Sequence, residues 1–203
     1  CEISSETCLI AIGVQGNIES LGLEDLNIQT KNNAIVVDEN MRTNIHGIYA
    51  IGDVIGAPCL AHIASHEGQI CVDQIAGIET QRIKVENCPR CTYCQPQVAS
   101  IGLTEKQAKE KGYSIKVGSF PFNANGKARA IGETEGFVKT IFEAEHGELL
   151  GAHIIGPEAT EMIAEFGIAK TLEATHEDVI NTIHAHPTLS EAMLEAVLDS
   201  QGQ

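Results

Sequence analysis

The sequence has few basic residues and no long apolar run. Among its 203 residues, 13 lysines and arginines stand against 28 acidic residues, which gives a formal net charge of −15. We therefore do not expect nucleic acids or anionic membranes as partners, because both bind positively charged protein surfaces. No apolar run approaches the roughly eighteen residues of a membrane-spanning helix, so no such helix is expected.

The shortage of bases is greatest in the second half of the chain. Residues 133–203 contain 14 acidic residues and only two basic ones, Lys139 and Lys170. This composition is typical either of a solvated acidic surface or of a surface that attracts a basic partner.

Three motifs that would point directly to an activity are missing. The sequence has no Gly-x-Gly-x-x-Gly dinucleotide motif, no Gly-x-x-x-x-Gly-Lys-Ser/Thr phosphate loop and no Cys-x-x-x-x-Cys pair. Its first residues, 1–6, include neither an initiator Met nor the basic region of a signal peptide. We expect a chain cut from a longer protein, with a hydrophobic content of 43% that suffices for a sizeable core.

The sequence contains seven cysteines, an odd number, without a secretory signal. This usage predicts a reducing compartment rather than a disulfide scaffold, and we expect the bacterial cytoplasm or, alternatively, the mitochondrial matrix. Cys8, Cys59 and Cys71 have apolar neighbours and are expected to be small core residues.

The remaining cysteines include a cluster, Cys88, Cys91 and Cys94, which repeats a Cys-x-x-Cys spacing. Such a spacing resembles part of a metal or iron–sulfur site. A fourth ligand nearby and a second, distant pair are both missing, so no metal site is expected here.

The chain divides by composition into two parts, residues 1–80 and 81–203. In the first part, a helix is predicted from Leu60 to Ile75 because apolar residues recur there at helical spacing. Short apolar runs bounded by Gly, Asn or Asp predict three strands before it, at 8–12, 34–37 and 48–51.

The second part combines a group of strands with helices that mostly follow them. Strands are predicted at 97–101, 114–122, 136–142 and 149–155. Helices are predicted at Glu105–Lys111 behind an N-cap at Thr104, from Pro157 with a buried stripe reaching Leu172, and at about Leu189–Asp199. This order indicates an α+β fold with a largely antiparallel sheet flanked by helices.

The segment His184-Ala-His-Pro-Thr-Leu-Ser-Glu191 carries the strongest local signal for catalysis. Pro187 disfavours a helix at His186, so that residue is expected in an extended stretch just before the last helix. The Glu191 carboxylate could accept a hydrogen bond from one ring nitrogen of His186. Such a dyad would fix the tautomer of the imidazole and make its other nitrogen more basic.

Two other interpretations of this segment compete with the dyad. Thr188 and Glu191 match a capping box, in which the carboxylate points to the backbone amide of Thr188 instead of to the imidazole. Alternatively, His184 and His186 would share one face of an extended segment and bind zinc or manganese, joined by His176 or Glu177. The spacing alone leaves all three open.

Another candidate site lies in the first part, where an apolar stretch ends in Gly52-Asp53. Asp53 would stand at the carboxyl edge of a sheet and accept from a ligand hydroxyl, with Gly52 allowing close approach. Residues 58–62 lead into the predicted helix, whose first amides could contact a ligand. An ordinary turn between a strand and a loop is the alternative.

Taken in order, these motifs resemble the flavin-dependent pyridine nucleotide-disulfide oxidoreductases over nearly the whole chain. Residues 8–13 are similar to the end of that family's nicotinamide-binding domain, and 43–53 with 58–68 to its second flavin motif. Residues 97–105 resemble the start of its interface domain. Residues 185–191 resemble the catalytic tail of the members that oxidise dihydrolipoamide.

The resemblance implies roles for individual residues. His186 matches the family's acid–base histidine and Glu191 its partner, while His184 matches an accompanying histidine. Gly52 and Asp53 match the motif that binds the ribityl chain of FAD. The stretch whose backbone approaches the flavin matches Cys59, Leu60, Ala61 and His62.

The resemblance also implies a domain plan and partners. Residues 81–203 would form the carboxyl-terminal dimerisation domain, and 1–80 the end of the nicotinamide-binding domain plus a returning FAD-binding segment. FAD and NAD would be the cofactors, with most of both sites outside this chain. The expected partners are a second copy in a homodimer with shared active sites, and the lipoyl-bearing acyltransferase of a 2-oxo acid dehydrogenase complex.

The implied activity is oxidation of dihydrolipoamide to lipoamide, with electrons passing through a redox disulfide and FAD to NAD. Without the redox disulfide, the chain alone is expected to be inactive. Three alternatives remain at this point: an isolated dimerisation or docking module, another flavin disulfide reductase of the same family such as one that reduces glutathione disulfide, and a metal-binding module.

Overall fold

The computed structural model describes residues 3–203. Cys1 lies outside the described residues, as does the start of the chain, where we expect a cut from a longer protein. The chain forms two compact units, Cys1–Ile83 and Lys84–Gln203. Across the described residues, every helix is too short or too polar to cross a membrane.

The first unit contains little regular structure apart from one helix. Strands β1 (Thr30–Lys31) and β2 (Ala34–Ile35) pair antiparallel. Asn32 and Asn33 connect them in a tight two-residue hairpin turn, and both have the positive φ that such a turn requires. A short 3₁₀ turn at Gly52–Ile55 precedes helix α1 (Ala61–Ile75), which confirms the predicted helix. Two small clusters form the core of this unit: Leu23, Ile28, Ile35 and Ala50, and Met41, Ile70 and Cys71.

Two of the three strands predicted for the first unit are not formed. Residues 8–12 have no regular structure, and Leu9 is 88% exposed. In the run 48–51, Tyr49 alone makes an isolated bridge, to Arg42. A strand needs a hydrogen-bonding neighbour, and none of residues 3–203 pairs with 8–12. For the same reason Cys8 is exposed, against the expectation that it is a core residue.

The second unit is built on a five-stranded sheet in which every pair is antiparallel, in the order β3-β4-β7-β6-β5. The strands are β3 (Arg90–Thr92), β4 (Gln97–Gly102), β5 (Ile115–Pro121), β6 (Phe137–Glu143) and β7 (Leu149–Gly156). The antiparallel α+β prediction is confirmed. Because β6 and β7 are central, their side chains are the most completely buried of the sheet.

Five helices accompany the sheet: α2 (Glu105–Glu110), α3 (Gly126–Ile131), α4 (Ala159–Thr171), α5 (His176–Ile180) and α6 (Glu191–Ser200). Helix α4 packs on β4 and β7, and α6 packs on β5 and β6. Their apolar faces meet the sheet in one core cluster, which includes Phe122, Val138, Ile154, Phe166 and Met193. Burial of this cluster is the main stabilising contribution to the unit.

At Gly118, helix α6 comes so close to the sheet that no side chain fits between them. A Cβ at Gly118 of β5 would collide with the α6 backbone at Ala196 and Ser200. The buried hydroxyl of Thr140 donates to the Ala196 carbonyl at 3.0 Å, and the Ser119 amide donates to the Asp199 carboxylate at 2.8 Å. These contacts fix the helix along its axis as well as its distance from the sheet.

Helices α4 and α6 differ from the sequence prediction at their ends. Helix α4 begins at Ala159, two residues after Pro157, because Glu158 adopts a left-handed conformation that cannot start a helix. Leu172, expected inside, lies past the end of that helix and is exposed. Helix α6 begins at Glu191 rather than at Leu189, with Ser190 as the preceding residue.

Candidate active site

The predicted catalytic histidine lies in the irregular segment 181–190, between helices α5 and α6. The side chain of His186 is 78% exposed. Its Nδ1 lies 2.8 Å from Oε1 of Glu191, the first residue of α6. The exposed imidazole therefore has a fixed carboxylate partner at the start of a buried helix.

The same carboxylate also binds the backbone. Oε2 of Glu191 accepts from the Thr188 amide at 2.8 Å. The dyad and the capping contact, which the sequence presents as alternatives, thus coexist with one oxygen each. The other half of the capping box is missing, since the Thr188 hydroxyl donates to the Ala185 carbonyl at 2.6 Å and accepts from the Ser190 hydroxyl at 3.2 Å rather than from the Glu191 amide.

Both hydrogen bonds favour the ionised form of Glu191. The Thr188 amide, followed by the hydrogen bond from His186, holds the pKa of this carboxyl below its usual range, against a small opposing effect of burial. Attraction to the charges of His186 and His184 adds to the same shift. A carboxylate can only accept, so Nδ1 of His186 is the protonated nitrogen of the neutral ring and Nε2 is left for a substrate.

His184 forms a second histidine–carboxylate pair, on a different helix. Its side chain is only 4% exposed. Nε2 lies 2.8 Å from Oε1 of Glu165 on α4, and Nδ1 donates to the Thr182 carbonyl at 3.0 Å. The sequence prediction identified His184 but missed Glu165, which is one of two glutamates on that helix, with no local pattern to distinguish it from Glu161.

The expectation that His184 and His186 share one face is wrong. One ring is buried against α4 and the other is exposed beside α6, because the chain bends at His186-Pro187. Nowhere in residues 3–203 do three His, Cys, Asp or Glu side chains come together to hold a metal ion. Within the cysteine cluster, Cys91 packs on the core, where burial raises the pKa of its thiol, whereas Cys94 is exposed.

A buried asparagine holds the segment from its other side. Nδ2 of Asn125 donates to the Thr188 carbonyl at 3.1 Å, while its Oδ1 accepts from the Ala128 amide at 2.9 Å and caps α3. Asn125 is nearly completely buried. An asparagine just ahead of α3 is a recognisable N-cap signal, but the contact of Asn125 with a segment 63 residues away is not encoded locally.

In the first unit, Gly52 and α1 are joined by a carboxylate. The Gly52 amide donates to Oε2 of Glu67 at 2.7 Å. Gly52 has a φ of +72°, which favours glycine, and a Cβ there would lie 3.2 Å from the Ala64 side chain. Glu67 was not predicted, since its position on α1 matters only once the turn folds back onto that helix.

The predicted flavin contacts surround this turn. Asp53 is exposed, and its carboxylate makes no hydrogen bond to the part of the chain that the structure describes. Helix α1 begins without a side-chain cap at Leu60, which is half-buried. The neighbouring predicted residues are half-buried or exposed: Cys59, Ala61 and His62. The turn and the helix start thus offer a carboxylate and backbone on one accessible surface.

Comparison with protein families identifies both units. The model described as "Pyridine nucleotide-disulphide oxidoreductase, dimerisation domain" matches residues 88–197, and the model described as "Pyridine nucleotide-disulphide oxidoreductase" matches residues 2–68. The five-stranded sheet and its helices are thus a dimerisation domain of a class of oxidoreductases. The chain belongs to the pyridine nucleotide-disulphide oxidoreductase family.

Named relatives and solved structures agree with this assignment. The chain is 54% identical over 206 residues to the dihydrolipoyl dehydrogenase of Rhizobium etli and 50% identical over 200 residues to that of Bacillus subtilis, covering 100% and 98% of this chain. It spans 42% of the length of each. Among solved structures, LpdA of Mycobacterium tuberculosis matches 94% of the chain and 42% of its own, with a TM-score of 0.87 and 28% identity. The flavoprotein disulfide reductase RclA of Escherichia coli matches 93% of the chain and 44% of its own, with a TM-score of 0.88 and 28% identity.

Proposed function

We propose that this chain is part of a dihydrolipoyl dehydrogenase, which oxidises dihydrolipoamide to lipoamide and passes the electrons through a redox disulfide and FAD to NAD. The observation that carries the proposal is the exposed His186 ring, oriented by Glu191 through Nδ1 so that Nε2 is available to a substrate thiol. The names of the relatives support the choice of substrate.

The chemistry needs a group that moves protons at neutral pH. A thiol has a pKa of about 8.5 and attacks a disulfide only as the thiolate. Nε2 of His186 would accept the proton of one dihydrolipoamide thiol as its sulfur attacks the enzyme disulfide. The substrate's second sulfur then closes the lipoamide ring, while two protons and two electrons remain with the enzyme dithiol. Glu191 would hold the ring and stabilise the imidazolium that forms.

The first unit would supply one wall of the FAD site. Three observations fit this role: the Asp53 carboxylate is exposed without a partner in residues 3–203, Gly52 allows close backbone approach, and α1 starts without a side-chain cap. When bound, FAD supplies electron transfer between the dithiol and NAD. Asp53 would accept from a ribityl hydroxyl, and the backbone of 59–62 would lie along the ring system.

We further propose that residues 1–80 are the end of a nicotinamide-binding domain with a returning FAD segment, and that 81–203 form the dimerisation domain of a homodimer. Exposed apolar side chains support a contact surface for a second copy. Ile183, beside the candidate site, is 95% exposed, and Ile168 and Leu172 of the α4 region are exposed as well. The lipoyl-bearing acyltransferase of a 2-oxo acid dehydrogenase complex would be the further partner, in the bacterial cytoplasm.

The test uses the full-length protein that contains this chain. We expect reduction of NAD by dihydrolipoamide, and no comparable activity between NADH and glutathione disulfide. His186→Gln should lower turnover of dihydrolipoamide by about 10²- to 10⁴-fold, with flavin content and dimerisation retained. Activity with glutathione disulfide alone would favour another branch of the family, and a His186→Gln variant as active as wild type would refute the assigned role.

A further inference from the structure

The segment that carries His186 has few attachments to the rest of the second unit. His186 itself is largely exposed, and the residues around it form neither helix nor strand. On the carboxyl-terminal side, Thr188 is held by Asn125 and Glu191. On the amino-terminal side, the Thr182 hydroxyl donates to the Asp178 carbonyl of α5, and the buried ring of His184 ties the segment to α4.

The hydrogen bonds of His184 are suited to fixing a backbone rather than to exchanging protons with a substrate. Both ring nitrogens are engaged with oxygens, one on the Thr182 carbonyl and one on Glu165. The carbonyl can only accept, so Nδ1 must donate, which fixes the rotation of the ring. Glu165 is 40% exposed and its helix is packed on β4 and β7, so the ring is joined to the sheet through a single carboxylate.

Other charged groups near this pair come from two further elements. Asp178 of α5 lines a cavity with Glu165 and Thr182, but its carboxylate is occupied by the amide and hydroxyl of Thr175. Glu191 of α6 is attracted electrostatically to His184 yet bonds to Thr188 and His186. Glu165 is therefore the carboxylate that holds His184 directly.

We propose that Glu165 and His184 are positioning residues for His186: the hydrogen bond between the His184 ring and Glu165 of α4 fixes the backbone segment from which the His186 imidazole projects. This inference rests on the proposed function, because it assigns to His186 the proton transfer with the substrate thiol. Two helices would then set the position of Nε2 of His186: α6 through Glu191, and α4 through Glu165. A displacement of about 1 Å in such a group can reduce a rate by about 10²-fold.

The experiment compares two reactions of the full-length enzyme. Oxidation of dihydrolipoamide by NAD needs His186, whereas oxidation of NADH by ferricyanide uses the flavin and the nicotinamide site without thiol chemistry. Glu165→Ala should lower kcat for dihydrolipoamide by about 10- to 100-fold with KM changed by less than about twofold, and leave the ferricyanide rate unchanged. Glu165→Gln keeps a hydrogen-bonding group at the same distance and should recover kcat to within about fivefold of wild type.

Glu161→Ala is the matched control, because Glu161 lies one turn earlier on α4, is exposed and contributes the same charge. It should leave both reactions within about twofold of wild type. Equal losses of both reactions in Glu165→Ala would assign Glu165 to folding and overturn the proposal, as would an unchanged kcat for dihydrolipoamide. A wild-type enzyme that oxidises NADH with ferricyanide but does not accept dihydrolipoamide would instead refute the proposed function.

Discussion

Replacing Glu191 by Gln tests the divided role of its carboxylate. A carboxylate accepts at both oxygens, so it serves the Thr188 amide and Nδ1–H of His186 together. A Gln amide has one accepting oxygen and one donating nitrogen. If the oxygen stays on the Thr188 amide, the NH₂ group faces Nδ1 and stabilises the tautomer in which Nε2 carries the proton, which is the wrong tautomer for a base.

The size of the effect follows from that competition. The active tautomer requires the oxygen to face His186, which leaves the NH₂ group opposed to the Thr188 amide. Two facing donors cost as much as an unsatisfied hydrogen bond, so the active arrangement is disfavoured by about 5- to 150-fold. We expect Glu191→Gln to lower kcat for dihydrolipoamide within that range, which is less than the loss expected for His186→Gln.

Steady-state turnover of dihydrolipoamide with NAD is the assay, with NADH oxidation by ferricyanide as the internal control for an intact flavin site. The ferricyanide rate should not change. A Glu191→Gln enzyme within twofold of wild type would show that the tautomer argument is mistaken. A Glu191→Gln enzyme that loses both activities together would show that the carboxylate matters for folding alone.

Two further predictions concern stability, each measured by urea unfolding of the chain. Gly147→Ala should lower the free energy of unfolding by about 1–3 kcal/mol more than Gly112→Ala. Both glycines have positive φ, but a Cβ at Gly147 would lie 2.6 Å from Cε1 of the His176 ring, whereas a Cβ at Gly112 would have no atom within 4 Å. Adding His176→Ala should remove that excess, and a persistent excess would refute the steric explanation. Burial lowers the pKa of His153, so the unfolded chain binds more protons there and stability should fall as the pH drops from about 7 to about 5. His153→Gln should flatten this slope between pH 7.5 and 5.5, and an unchanged slope would contradict the assignment.

The sequence predicted the second unit better than the first. Four strands and the α2 cap at Thr104 are found within a few residues of their expected positions, because an antiparallel sheet with its own core satisfies the local patterns. Residues 8–12 fail for the opposite reason: apolar side chains indicate a strand only where a neighbouring strand exists to pair with it.

In the candidate site, local pattern pointed to His184, His186 and Glu191 but not to the residues that hold them from other elements. The spacing from His186 to Glu191 left a dyad and a cap both open, and a carboxylate with two oxygens satisfies both. Asn125 and Glu165 act over 63 and 19 residues of sequence, so no local motif could indicate them. Long-range hydrogen bonds of this kind become visible only when the sheet has brought its helices together.

The close contact between α6 and Gly118 of β5 affects how loss-of-function mutations in this protein would be interpreted. A Cβ at Gly118 would collide with the α6 backbone at Ala196 and Ser200, so a side chain at that position should displace the helix that carries Glu191. A genetic screen for loss of catalysis would therefore recover changes at Gly118 alongside changes at His186. The geometry of the candidate active site thus depends on a strand position that contributes no functional group to it.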